Sequence, residues 1–360
     1  MSSRLRLQTA VTVAVFATVS IVEAQTSSIP RTPSGQPDLS GTYDIATLTP
    51  LQRPERFGNK AFLTEEEAAA LEREEFDRNL DRNQASNPNR EAPPDGGDGS
   101  RGAAGNVGGY NTFWIDRGSS AALIDGQFPT SIIVDPGNGR QPPLTVTAST
   151  QAAERASFYR ENSGSAWWMI ENGLDAPGPY DDPELRPLAE RCLLGFSSTG
   201  GPPMLPALYN NLKRIVQTDD YIMILIEMVH DARIVRLNQD HAPSNIRGWL
   251  GDSVGHWDGD TLVIDTTNFN DTPALRGATR DLHVIERLTR INEDTLRYEF
   301  TVDDPNAWTA AWSGEYVWPV SDDRVYEYAC HEANYSFQGI LGGARILEQD
   351  VRDGTVPEQR

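Results

Sequence analysis

Residues 282–302 read LHVIERLTRINEDTLRYEFTV, and this stretch sets the fold class. Segments 282–291 and 295–302 alternate in side-chain character with the period of two that a β-strand requires. Asn292, Glu293 and Asp294 between them make a short hairpin loop. Working outward, 256–257 and 260–265 flank Asp258-Gly259, a pair that favours a type I′ turn and so a second hairpin. Upstream, 221–230 (YIMILIEMVH) is nearly continuous apolar chain and reads as a strand buried on both faces, with 233–237 continuing it or returning. Downstream, 325–331 reads as the last strand. Strands recurring at a roughly ten-residue spacing predict a mainly β protein. The expected fold is an antiparallel sheet or lipocalin-like barrel with helical and irregular N-terminal elaboration.

That places the β core at 215–350, with 351–360 as a tail and 25–214 as an irregular, partly helical wrapping segment. Within the wrapping segment, 32–41 is turn-rich and 42–48 is a short strand. Thr64 with Glu67 three residues on is a capping box, opening a helix that runs toward Leu80. Residues 83–109, rich in Asn, Pro, Asp and Gly, read as a mobile surface loop; the ligand pattern of a calcium-binding EF-hand is missing. Ordered chain restarts at 110–114, a strand is expected at 130–134, and helices at 151–159 and 183–192.

The charge balance is strongly acidic, 52 Asp+Glu against 31 Lys+Arg, a formal −21. It argues against non-specific nucleic-acid binding and against docking on anionic lipid, both of which need cationic surface. Arg4 and Arg6 precede an apolar run over 10–22, and Val22-Glu23-Ala24 offers a cleavage site before Gln25. Residues 1–24 therefore read as a signal peptide, the run being shorter than the about 20 residues of a membrane span. The processed chain is expected to be periplasmic or secreted, without membrane insertion, and its oligomeric state is left open. In an oxidising compartment Cys192 and Cys330, the only cysteines, have one intramolecular bridge to make. The rival is a catalytic thiol at Cys330 beside His331, although neighbours on a strand point to opposite faces.

Several phrases are distinctive. They are GGPPMLP (200–206) before YNN (209–211), IEMVHDAR (226–233), WLGDS (249–253) and WDGDTLVIDTTNF (257–269), then HVIER (283–287), YEFTVDDP (298–305) and YEYACHE (326–332). Together they resemble a family of exported bacterial proteins of unassigned function, over most of the chain beyond the signal. The resemblance implies export and carries no reaction with it. The β half is similar in texture to lipocalin-like barrels, a fold-level likeness only.

The chain has no phosphate-cradling loop, no Gly-x-Ser-x-Gly elbow and no His-Glu-x-x-His zinc helix, so no cofactor is expected. By parity, His283 and Arg287 share one strand face and Glu286 and Arg290 the other, while Glu327 and His331 share a face of the last strand. A barrel with His283, Arg287, Glu327 and His331 pointing inward would hold two proton-transfer groups, an orienting acid and an anion clamp. Glu227 interrupts an apolar strand and forms a second cluster with His230 and Asp231. A buried carboxylate needs a partner, and Arg233 is the expected one. His230, His283 and His331 have the chemistry of zinc or iron ligands but no ligand spacing, so no metal is assigned. The expected function is an exported enzyme using cofactor-independent acid–base chemistry of lyase, dehydratase or isomerase type on a small organic substrate. The alternative is a non-catalytic, lipocalin-like small-molecule-binding protein of the cell envelope. Catalysis predicts histidines converging with a carboxylate in a pocket; binding predicts an apolar, aromatic-lined cavity with the histidines turned elsewhere.

Overall fold

Alternating burial runs through nearly every long strand, and it curls one sheet around one core. In the computed structural model, which describes residues 29–83, 89, 115–158, 164–332 and 334–355, the strands are β1 (Gly41–Asp44), β2 (Phe62–Leu63), β3 (Phe128–Pro129), β4 (Ile133–Asp135), β5 (Leu212–Gln217) and β6 (Tyr221–Ile226). They continue with β7 (Ala232–Leu237), β8 (Asp252–Asp258), β9 (Thr261–Thr267), β10 (His283–Asn292), β11 (Thr295–Asp303) and β12 (Trp312–Pro319). Ten of them form a single sheet in the order β1-β5-β6-β7-β8-β9-β10-β11-β12-β4, while β2 and β3 pair separately. The protein is thus mainly β, and the sheet is a strongly curled half-barrel whose curl brings Tyr43 of β1 opposite Val320, just past β12. Every neighbouring pair is antiparallel except β7 and β8, which run parallel. The crossover 238–251 carries the chain back between them.

Both expected hairpins are present. β8 and β9 meet across Gly259, whose φ of 62° suits the turn, and β10 and β11 pair from His283↔Asp303 to Asn292↔Thr295. Inside the curl, Tyr298 stacks on Trp318 with ring centroids 4.5 Å apart, Tyr316 packs edge-on to Tyr298, and Trp312 packs edge-on to Phe300. Aromatic rings fill this interior, where a lipocalin-like texture suggested a hollow.

Segment 221–230 departs from its expected form. Its strand stops at Ile226 and alternates between exposed and buried residues. The chain then reverses through 227–231, with Val229 and His230 both at positive φ (62° and 47°). The apolar run misleads because the outer face of β5–β7 also carries apolar residues, exposed at Val216, Tyr221 and Ile234. Segment 325–331 is not a strand; the last strand along the chain is β12, paired with β11 and β4, and 321–332 runs on irregularly after it.

Among the described residues four α-helices accompany the sheet: α1 (Glu65–Arg82), α2 (Val146–Phe158), α3 (Trp167–Asn172) and α4 (Tyr335–Asp353). The Thr64 capping box closes reciprocally, Glu67 N donating to Thr64 Oγ1 at 3.2 Å and Thr64 N to Glu67 Oε2 at 2.7 Å. Residues 183–192 form only a 3-10 turn, Pro183–Leu185. α4 falls within the span read as β core; it packs on α3 through Ala344 and Leu347 against Trp168. Its Gly339, Gly342 and Gly343 lower local helix propensity, so packing rather than propensity sustains it. The expected signal peptide, 110–114 and nearly all of the expected mobile loop lie outside the described residues.

Candidate functional site

The parity of β10 holds, but the face is reversed. Val284, Glu286, Leu288 and Arg290 point into the core, opposite the inward row Val302, Phe300, Tyr298 and Leu296 of β11. His283 and Arg287 therefore point outward, not into the barrel. Arg287 pairs with Asp258 at 2.9 Å on the exposed surface. His283 Nε2 meets Asp265 Oδ1 at 3.0 Å, the same oxygen that His241 Nε2 approaches at 3.2 Å. His241 Nδ1 in turn meets Asp252 Oδ2 at 2.9 Å, and Arg236 completes the chain at 3.1 Å. The hydrogen bond His283 donates to Asp265 holds the His283 pKa above the ordinary histidine value, and the same bond holds Asp265 below the usual carboxylate range. For His283 the contribution to stability is complete below the unfolded-state value of about 6.5 and disappears as pH rises through the higher folded value. We expect Asp265→Asn to return the His283 titration midpoint, followed by NMR of the ring protons, toward 6.5; an unchanged midpoint would contradict the assigned cause.

Glu286 is the interior acid. Arg233, rather than pairing with Glu227, reaches Glu286 through two hydrogen bonds, at 3.1 Å to Oε1 and 2.6 Å to Oε2, with both side chains essentially fully buried. Ser253 and Thr266 accept from the same guanidinium, and the Tyr298 hydroxyl donates to Glu286 Oε1 at 2.6 Å. Tyr298 also accepts from Met204 N at 2.8 Å. Burial, with the Glu286 charge behind it, raises the Tyr298 pKa well above its usual value. Among the described residues Arg233 Nε alone is left without a partner in this network, which ties the Met204 backbone to the end of the core through Tyr298 and Tyr316.

The end of the half-barrel where β5 begins and β6 ends is the mouth, and here the second cluster is found. Glu227 opens the strained β6–β7 reversal and is buried, its Oε1 accepting from Tyr326 N at 3.1 Å. A β-branched residue at φ 62° is costly, and at Val229 the surrounding packing must hold it there. His230 sits on the same reversal, its Nδ1 3.2 Å from Tyr328 O. Burial pushes Asp231 up to about 6 and Asp44, at the end of β1, also to about 6. Lys213, one residue into β5, is fully buried and bonds Thr199 Oγ1 at 3.2 Å and Asn211 O at 3.4 Å.

Two irregular straps frame this mouth, 188–211 and 321–332, and Cys192–Cys330 joins them as a disulfide with Cα atoms 5.7 Å apart. Two clefts adjoin the straps, one between 196–209 and 47–51 and one between 189–212 and 323–336. One, of about 650 Å³, is mainly apolar, lined by Leu51, Phe196, Leu205, Leu208, Tyr209 and Met228 among others. Its neighbour, of about 850 Å³, is acidic, its wall carrying Asp44, Asp116, Glu190, Glu227, Asp323 and Glu327 against Arg324. Phe196 and Tyr209 line both clefts, so the two adjoin along a shared wall. No histidine lines either one.

The expected quartet is thus distributed. Glu327 lines the acidic cleft and His331 lies exposed further along the same strap, while His283 is engaged by Asp265 and Arg287 by Asp258 on the outer face of the sheet. Glu227, His230 and Asp231 do share one reversal. Lys213, Asp265, His241 and Asp44 escape the sequence reading, in which Glu286 has a strand face with Arg290 but no role. Among the described residues no group of three or more His, Cys, Asp or Glu is placed to hold a metal ion, and no helix is long and apolar enough to cross a membrane. Compared with known proteins, the chain matches no family model, no curated protein and no solved structure.

Proposed function

We propose that this chain is an exported protein that binds a small amphipathic molecule at the mouth of its half-barrel. The observation that carries the reading is that an apolar, aromatic-lined cleft adjoins an acidic one across Phe196 and Tyr209. Phe196, Leu205, Leu208, Tyr209 and Met228 take an apolar body, and Glu227, Asp44 and their acidic neighbours take a positively charged head. Phe196 and Tyr209, at the junction, offer ring faces to that cation. The disulfide supports work outside the reducing cytoplasm. A periplasmic or secreted site, and kinship with exported bacterial proteins of unassigned function, rest on the signal-like N-terminus and the sequence phrases.

Titration with a naphthalene fluorophore bearing a trimethylammonium group tests this reading. The expected result is saturable binding that the sulfonate-bearing counterpart lacks, weakened about tenfold by Glu227→Gln, the scale of one charge-assisted contact. Affinity for the cation should fall as pH drops through about 6 and Asp44 takes up a proton. Equal binding of cation and sulfonate would sink the proposal.

A catalytic reading of the same mouth is favoured by Lys213, a buried amine on which the Glu227 and Asp44 charges act. It retains cofactor-independent acid–base chemistry of lyase, dehydratase or isomerase type, moved from the strand histidines to Lys213 and Glu227. Deuterium exchange next to the carbonyl of small ketones, read by NMR and lost in Glu227→Gln, is its signature.

A further inference from the structure

Arginine supplies 29 of the 31 basic side chains, and only Lys60 and Lys213 are lysines. Lys60 is an exposed residue paired with Glu67. Lys213 points into the core from β5, and among the described residues no carboxylate lies within ion-pair distance of it. The interior arginines are engaged differently: Arg233 is held by Glu286, and Arg290 donates to the backbone oxygens of Asp38, Asn292 and Glu293. A guanidinium stays charged wherever it is placed, whereas a buried ammonium readily gives up its proton.

The partners of Lys213 suit the neutral form. An ammonium has three N–H groups to satisfy, and this one has two acceptors, Thr199 Oγ1 and Asn211 O, both uncharged. An amine donates twice and keeps a lone pair. Burial lowers the group to about 7, against the opposing pull of Glu227 and Asp44. One acceptor, Asn211, also lines the acidic cleft, while Lys213 itself is buried behind it.

We propose that Lys213 is a nucleophile that captures the carbonyl carbon of a small aldehyde or ketone entering through the mouth. The inference rests on the reading of that mouth as a ligand site, and it names the ligand's reactive group. The nitrogen lone pair forms the C–N bond, the C–O bond breaks, and the carbonyl oxygen leaves as water with both amine protons. The product is an imine, and no oxidant or reductant is consumed.

Benzaldehyde with sodium cyanoborohydride at pH 7.5, followed by peptide mapping, tests the step, because the hydride fixes an imine as a benzylamine. An ordinary lysine is neutral to about one part in a thousand at this pH, so Lys213 should be labelled at least about tenfold faster than Lys60 despite its burial. Lys213→Met should lose that label and still bind the trimethylammonium fluorophore. Labelling of Lys60 or the terminal amine at an equal or greater rate overturns the proposal. Fluorophore binding by the wild-type protein without label on Lys213 rejects the covalent step alone, whereas loss of both rejects the ligand site as well.

Discussion

Arg233→Met and Glu286→Leu, made singly, should each lower the unfolding free energy by about 3–5 kcal/mol, because each leaves one uncompensated charge in the core. The two side chains are essentially inaccessible and joined by two hydrogen bonds, so water cannot replace the missing partner. The double variant should recover most of the loss. What remains is about 1 kcal/mol for the Tyr298 hydroxyl, which loses its acceptor. Urea unfolding midpoints of the four proteins give the coupling directly. Additive losses in the double variant would mean that the pair is not the unit that matters. Because Tyr298 also holds Met204 N, Glu286→Leu should in addition loosen segment 195–206 over the mouth.

Removing the disulfide should cost a comparable amount through a different state. Cys192 and Cys330 are 138 residues apart, and in the chain-entropy model closing such a loop restricts the unfolded chain by about 5 kcal/mol, an upper figure. The Cys192→Ser/Cys330→Ser protein should therefore melt well below the wild type under non-reducing conditions, and the difference should vanish when both are reduced. A melting temperature unmoved by the substitutions would contradict this. A local effect should accompany it. Apart from the bridge, the 321–332 strap is held by few polar contacts, among them Tyr326 N to Glu227 and Ser321 N to Thr42 O. Opening the bridge should weaken fluorophore binding before the hairpins of the sheet lose their structure.

The hairpins were legible in the sequence because turn chemistry and alternation agree there. The turn at Gly259 and the tight loop Glu293-Asp294 both set register, and β11 alternates cleanly between Leu, Tyr, Phe and Val on one face and Thr, Arg, Glu and Thr on the other. Carried across the register, that clean strand would have put Glu286 inside and His283 outside. β10 alone is ambiguous, since each of its faces carries both apolar and charged residues. Segment 221–230 misled for the reason that matters in curled sheets: an apolar outer face erases the alternation that marks a half-buried strand. Residues 325–331 have aromatic strand character but lie on a strap held by a disulfide and by the Glu227 carboxylate, tertiary constraints that no local pattern contains. Lys213 did carry a signal in composition, as one of two lysines among 29 arginines. Its burial could be known only from the fold.

Hydrogen exchange measured by mass spectrometry, with and without saturating trimethylammonium fluorophore, tests the placement of the ligand site most directly. Binding at the mouth should slow exchange in 195–211 and 321–332 and around the 227–231 reversal, leaving the outer-face network of His241, Asp265 and His283 unchanged. Protection confined to the start of β10 and the 238–251 crossover would place the ligand at the outward histidines and contradict the account.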